Sequence, residues 1–172
     1  MKQVTGWWFA PDDNRLANGD GRKIEIGITH EIDGEIIPCE RGLHLSKILI
    51  DALGYAPGPI VYKVRGHGVI IPHGDPVDKY ACSKRTYLAG GFDCSELLHK
   101  FARLCALGVV QLWDAPQIVK DYLNTGKKSL RSAARSAARS AACAAARSAA
   151  CAAAWEKQNK RLTKMIVEAM ED

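Results

Sequence analysis

The chain has 172 residues, 47% of them hydrophobic and 25% charged, with a formal net charge of +5 at pH 7. That length suits one ordinary domain plus an appendage, although much of the apolar content is alanine from one stretch near the C-terminus. No window of about 18 apolar residues lacks charges, which argues against a spanning helix. Met1 to Trp8 hold no apolar run ending at a small-residue cleavage site, so no secretory signal is expected. The six cysteines, at 39, 82, 94, 105, 143 and 151, are accordingly expected to be reduced.

The N-terminal third reads as strands and turns. Thr5 to Ala10 is an aromatic strand candidate, followed by turn-rich segments at Pro11 to Asn14 and Asn18 to Gly21. Lys23 to Ile28 alternates polar and apolar residues, the pattern of a half-buried strand. Asp33-Gly34 marks a turn before Glu35 to Ile37, and Gly42 to Leu45 is a short apolar strand. Ser46 is placed to cap a helix from Lys47 to Leu53 that Gly54 ends. Pro59 to Val64 and Gly68 to Ile71 read as two strands separated by Arg65-Gly-His-Gly68.

After residue 90 the period becomes helical. Leu97, Leu98, Phe101, Leu104 and Cys105 form a stripe opened by Ser95 and closed by Gly108. Val109 to Trp113 suits a last strand or a buried linker, and Asp114-Ala-Pro-Gln117 carries the signals of a helix start. That helix should stop at Asn124 to Gly126. The expected architecture is therefore α+β: a small, mainly antiparallel mixed sheet with short helices over residues 1–125, then a long single helix over residues 126–172.

The second part repeats in fours, Arg-Ser-Ala-Ala alternating later with Cys-Ala-Ala-Ala, and contains neither Gly nor Pro after Gly126. As one helix it would be on the order of 60 Å long. Arg131, Arg135, Arg139 and Arg147 would climb one side, drifting about 40° per step. Nine Lys or Arg residues stand between Lys127 and Arg161 against one acid, Glu156. Such a cationic arm suits an acidic protein, a nucleoprotein or a nucleic acid. Equally, the arginines can be a solvated face that keeps the alanines soluble. Leu162, Met165, Ile166, Ala169 and Met170 form an apolar face suited to docking on the domain, a second copy or a partner.

Chemistry is less marked. His44 lies at a strand-to-helix junction where free backbone donors could meet an anion, and is read as structural or anion-contacting. Lys79, Lys84 and Arg85, interleaved with Tyr80 and Tyr87, suggest a basic, aromatic surface for phosphates and bases. The same residues also suit an edge strand protected by charge. His67, His73, Asp75 and Asp78 match no metal-ligand spacing and read as loop residues. No C-x-x-C pair, calcium loop, P-loop, G-x-S-x-G or H-E-x-x-H is present, so no catalytic residue, metal or cofactor is expected.

Pro38-Cys-Glu-Arg-Gly-Leu-His-Leu45, Asp51-Ala-Leu-Gly-Tyr55, Val61-Tyr-Lys-Val-Arg-Gly66 and Asp78-Lys79 occur in that order. Together with the alanine-arginine tail, they resemble an uncharacterised domain of phage and prophage proteins. The resemblance implies an accessory protein in the cytoplasm of a bacterial host. Such a protein would bind a host macromolecule or nucleoprotein, for example to inhibit a defence complex. Gly42-Leu-His-Leu-Ser46 with Tyr55 also resembles ADP-ribosyltransferase folds, which would imply an enzyme centred on His44. No His or Arg lies on the first aromatic strand, and no Glu follows Glu40 until Glu96. A third expectation is assembly, with the alanine helix packing against copies of itself.

Overall fold

The computed structural model describes residues 2–17, 20–112, 114–141 and 151–171. They fall into two units, Met1–Cys94 with Thr163–Asp172, and Ser95–Leu162. The expected boundary at residue 125 lies inside the second unit. The fold is α+β, and every strand pairing in its five-stranded sheet is antiparallel.

In the first unit, β1 (Gln3–Ala10), β2 (Thr29–Glu31), β3 (Leu43–Leu45), the short helix α1 (Leu49–Gly54), β4 (Ile60–His73) and β5 (Lys79–Asp93) follow in order. β5 is the organising strand. One of its edges pairs with β4 along its length, and the other takes β3 at residues 80–82 and β2 at residues 84–86. β1 lies on the far edge of β4 and also meets the chain just after β3, where Trp7 and Ser46 exchange backbone hydrogen bonds of 2.8 and 3.0 Å. The sheet thus closes on itself. Gly6 makes this possible, since a Cβ there would collide with the Ser46 carbonyl oxygen and the Leu45 side chain. Inside lie Leu16, Ile24, Leu43, Leu45, Val64 and Cys82, beside a cluster of Trp8, Tyr62 and Tyr87 rings 5.3–6.3 Å apart.

Several elements differ from expectation, each for a local reason. Lys23 to Ile28 is not a strand. Gly27 takes a left-handed φ of 85°, the chain turns, and of its isoleucines only Ile24 is buried. The strand that does form starts at Thr29. The two strands expected on either side of Arg65 to Gly68 are one continuous β4, with an irregularity where Gly68, at φ 77°, shifts the register between His67 and Ile70. Ser46 caps nothing, because its backbone joins Trp7; α1 begins after Ile48. The last ten residues of the chain belong to this unit, with Ile166 fully buried and the Met170 methyl beside Gly90.

The second unit contains α2 (Ser95–Leu107), α3 (Gln117–Thr125), α4 (Arg131–Ala141) and the first part of α5 (Cys151–Glu171), with 3-10 turns at Val110–Leu112 and Lys128–Leu130. α3 starts without a side-chain cap from Asp114 and stops at Gly126, whose φ of 66° forms a left-handed C-cap. The Arg161 guanidinium donates to the Leu104 carbonyl oxygen at 3.1 Å, and Lys128 pairs with Glu96 at 3.2 Å. The continuity of the expected long helix between Ala141 and Cys151, together with Arg147, lies outside the described residues.

A cationic cleft beside a reactive-residue cluster

The β-sheet unit contains a cleft of about 580 Å³ lined by Trp7, Trp8, Cys39, His44, Lys79 and Arg85, among others. Strand pairing assembles it. His73 and Lys79 face each other at the turn end of the β4–β5 hairpin, and β3 lays His44 beside Ala81 on the other edge of β5. Cys39 arrives on the turn before β3, in a left-handed conformation with φ 71°.

Arg85 is the unusual group. It is only 1% exposed, and no carboxylate among the described residues pairs with it. Its Nη1 donates to the His44 carbonyl oxygen at 2.6 Å, while Nη2 and Nε donate to the Tyr87 hydroxyl at 2.9 and 3.3 Å. Its guanidinium carbon stands 3.7 Å from the Trp8 ring centroid. Three of a guanidinium's five N–H groups are thereby used and two remain. Burying a charge without a counter-ion is costly, and burial lowers the guanidinium's proton affinity.

Lys79 is also buried, at 7% exposure. Its Nζ lies 3.9 Å from the Tyr55 ring centroid and donates to Cys39 Sγ at 3.2 Å. Tyr55 donates its hydroxyl proton to Asp78 Oδ2 at 2.6 Å, which pushes its own titration up to about 12. The other Asp78 oxygen is buried without a hydrogen-bond partner. His44 is pushed down to about 4, first by burial and then by the charges of Lys79 and Arg85 and by His73. It is therefore a neutral imidazole near pH 7, able to accept the Cys39 backbone N–H at Nε2, 3.4 Å away. His73 Nε2 lies 3.6 Å from Cys39 Sγ. Two acids share the lining, but Asp20 is held by Arg22 at 2.7 Å and Glu40 is exposed.

The residues singled out from sequence divide accordingly. His44, Lys79 and Arg85 meet in the cleft. Lys84 does not; it forms a 2.6 Å ion pair with Glu31 across the β2–β5 pairing. The expected exposed surface of Lys79, Lys84, Arg85, Tyr80 and Tyr87 is corrected, since Arg85 and Tyr87 are fully buried. β5 has partners on both edges, and strand alternation turns Arg85 and Tyr87 inward while Lys84 and Thr86 face away. Arg131 and Arg135 are exposed in the helical unit, flanking a second cleft of about 500 Å³ floored by Val119, Leu123 and Ala134; Arg139 lies further along α4. Sequence reasoning assigned Cys39 no role and took His73 for a loop residue. Cys39 stands 34 and 40 positions from His73 and Lys79, so no local spacing could have linked them.

Among the described residues no helix is long and apolar enough to cross a membrane, and no group of three metal-ligating side chains occurs. Compared with protein-family models, curated proteins and solved structures, the chain matches none. Function must therefore be argued from the site itself.

Proposed function

We propose that the β-sheet unit is a binding module for a small ligand carrying a phosphate or carboxylate group, taken up in the cleft against Arg85 and Lys79. The observation that carries this reading is Arg85: a buried guanidinium with two unused donors lining a cavity. An anion would supply the missing counter-charge with charge-assisted hydrogen bonds. The cavity volume is that of a small-molecule site.

Titration of the full chain with inorganic pyrophosphate, followed by tryptophan fluorescence, tests it. Trp8 stacks on the guanidinium, so binding should change its emission saturably and weaken with added salt. Arg85→Met should weaken binding about a hundredfold or more. Lys79→Met provides the same comparison if the first variant fails to fold. Unchanged affinity in a folded variant would end this reading. A nicotinamide dinucleotide in the same assay, with its turnover measured, examines the transferase alternative.

A second reading concerns the helical unit. There the arginine-bearing segment beyond residue 126 engages an acidic host macromolecule or nucleoprotein, or its own copies, as in a phage or prophage accessory protein. Arg131 and Arg135 support it, because they flank an apolar floor without a carboxylate partner among the described residues. Tyr122 is the one aromatic ring in a lining that is otherwise aliphatic apart from the two arginines, which suits an acidic amphipathic protein segment better than a nucleic acid strand, whose successive bases stack on several rings.

A further inference from the structure

We infer that Cys39 is the nucleophile of this cleft, forming a covalent S-acyl adduct with an ester or thioester that carries an anionic group. The inference rests on the anion-binding reading above and adds a chemical step to it.

Three observations converge on Cys39. Its sulfur accepts a hydrogen bond from the Lys79 ammonium at 3.2 Å and has His73 Nε2 at 3.6 Å, so a cation and a proton acceptor both reach it. Its backbone is tied to the anion site through one residue. His44 accepts the Cys39 N–H on its ring and the Arg85 Nη1 hydrogen on its carbonyl oxygen. A ligand whose charge meets Arg85 is thereby held near the sulfur, and such proximity is a large part of catalytic advantage. Finally, Cys39 is exposed at the cleft, whereas Cys82 and Cys94 are buried, with burial pushing both thiols up to about 11. The Lys79 ammonium is itself positioned, stacked on Tyr55, whose hydroxyl is fixed by Asp78.

The step balances without an oxidant or reductant. His73 Nε2 takes the Cys39 proton as the sulfur attacks the carbonyl carbon, and negative charge grows on the carbonyl oxygen beside Lys79. The carbon–oxygen or carbon–sulfur bond to the leaving group breaks, and that group departs with the proton from His73. Water then gives a proton to His73 and adds to the thioester. The Cys39 sulfur leaves and recovers the proton, so the net change is hydrolysis to an acid and an alcohol or thiol.

The test uses the full chain with mono-p-nitrophenyl succinate as the anionic ester and p-nitrophenyl acetate as the neutral one, each rate divided by that for free cysteine. The expected result is a burst of one equivalent of nitrophenol, a mass increase of one succinyl group mapped to Cys39, and acylation at least about tenfold faster for the anionic ester after normalisation. Cys39→Ser should abolish the burst. His73→Gln should slow the burst on the order of a hundredfold and flatten its pH profile. A full burst in Cys39→Ser, succinyl groups found only on lysines, or equal normalised rates for the two esters would each overturn the inference. Pyrophosphate binding without acylation would sink the nucleophile and leave the binding site standing. Absence of both would remove the binding reading itself.

Discussion

The β-sheet unit hides its distinctive cations, and the helical unit displays them. Arg85 and Lys79 are enclosed by paired strands and aromatic rings, while Arg131 and Arg135 are exposed on α4. The two placements carry different information. An exposed arginine on an alanine-rich helix costs little and is sufficiently explained by solubility and helix propensity. A buried guanidinium without a carboxylate costs much, so its retention calls for a ligand or a structural reason. The conspicuous arginine repeat is thus the weaker functional signal, and one arginine in the middle of a strand is the stronger.

The largest expected effect sharpens where each unit ends. Ile166 is fully buried and belongs with the β-sheet unit although the whole helical unit separates it from Cys94 in sequence. Ile166→Ala should cost about 2–5 kcal/mol of stability, read from the denaturant midpoint. A change below about 0.5 kcal/mol would show that the last helical turns are dispensable to that unit's core.

An intermediate effect separates the neutral and charged members of the cleft. His44 titrates near 4 in the folded chain against 6.5 for an ordinary histidine, chiefly through burial. The unfolded chain therefore takes up a proton between those values that the native state refuses. Stability is fully present above about pH 6.5 and falls as the pH drops toward 4. His44→Gln, neutral at every pH, should reduce the slope of the unfolding midpoint across that window. An unaltered slope would locate the acid sensitivity elsewhere.

The smallest expected effect concerns the displayed cations. Arg131→Gln with Arg135→Gln should change stability by no more than about 0.5 kcal/mol. Capture of an acidic peptide on the helical unit should nevertheless weaken measurably and lose salt dependence. If the double variant binds such a peptide as well as the parent, the arginines serve solubility alone and the contrast between the units becomes complete.

Local pattern alone determined a good part of this molecule. The aromatic strand at Thr5 to Ala10, the apolar Leu43 to Leu45, the helical stripe from Ser95 and the stop at Gly126 all depend on side-chain period or on glycine's φ freedom, which neighbouring residues suffice to reveal. The site was legible only in fragments: His44, Lys79 and Arg85 stood out as chemistry-bearing residues, but their enclosure did not. That Lys79 to Tyr87 would be a central strand rather than an exposed edge was decided by β2, β3 and β4, which arrive from 35 or more residues away in the case of β3 and take up both edges. The same pairing brings Cys39 to His73 and Lys79 and turns Arg85 inward without a carboxylate. Sequence period can tell that alternate residues of a strand face opposite ways, but which face becomes the interior depends on what packs there, and that is settled only when distant strands meet.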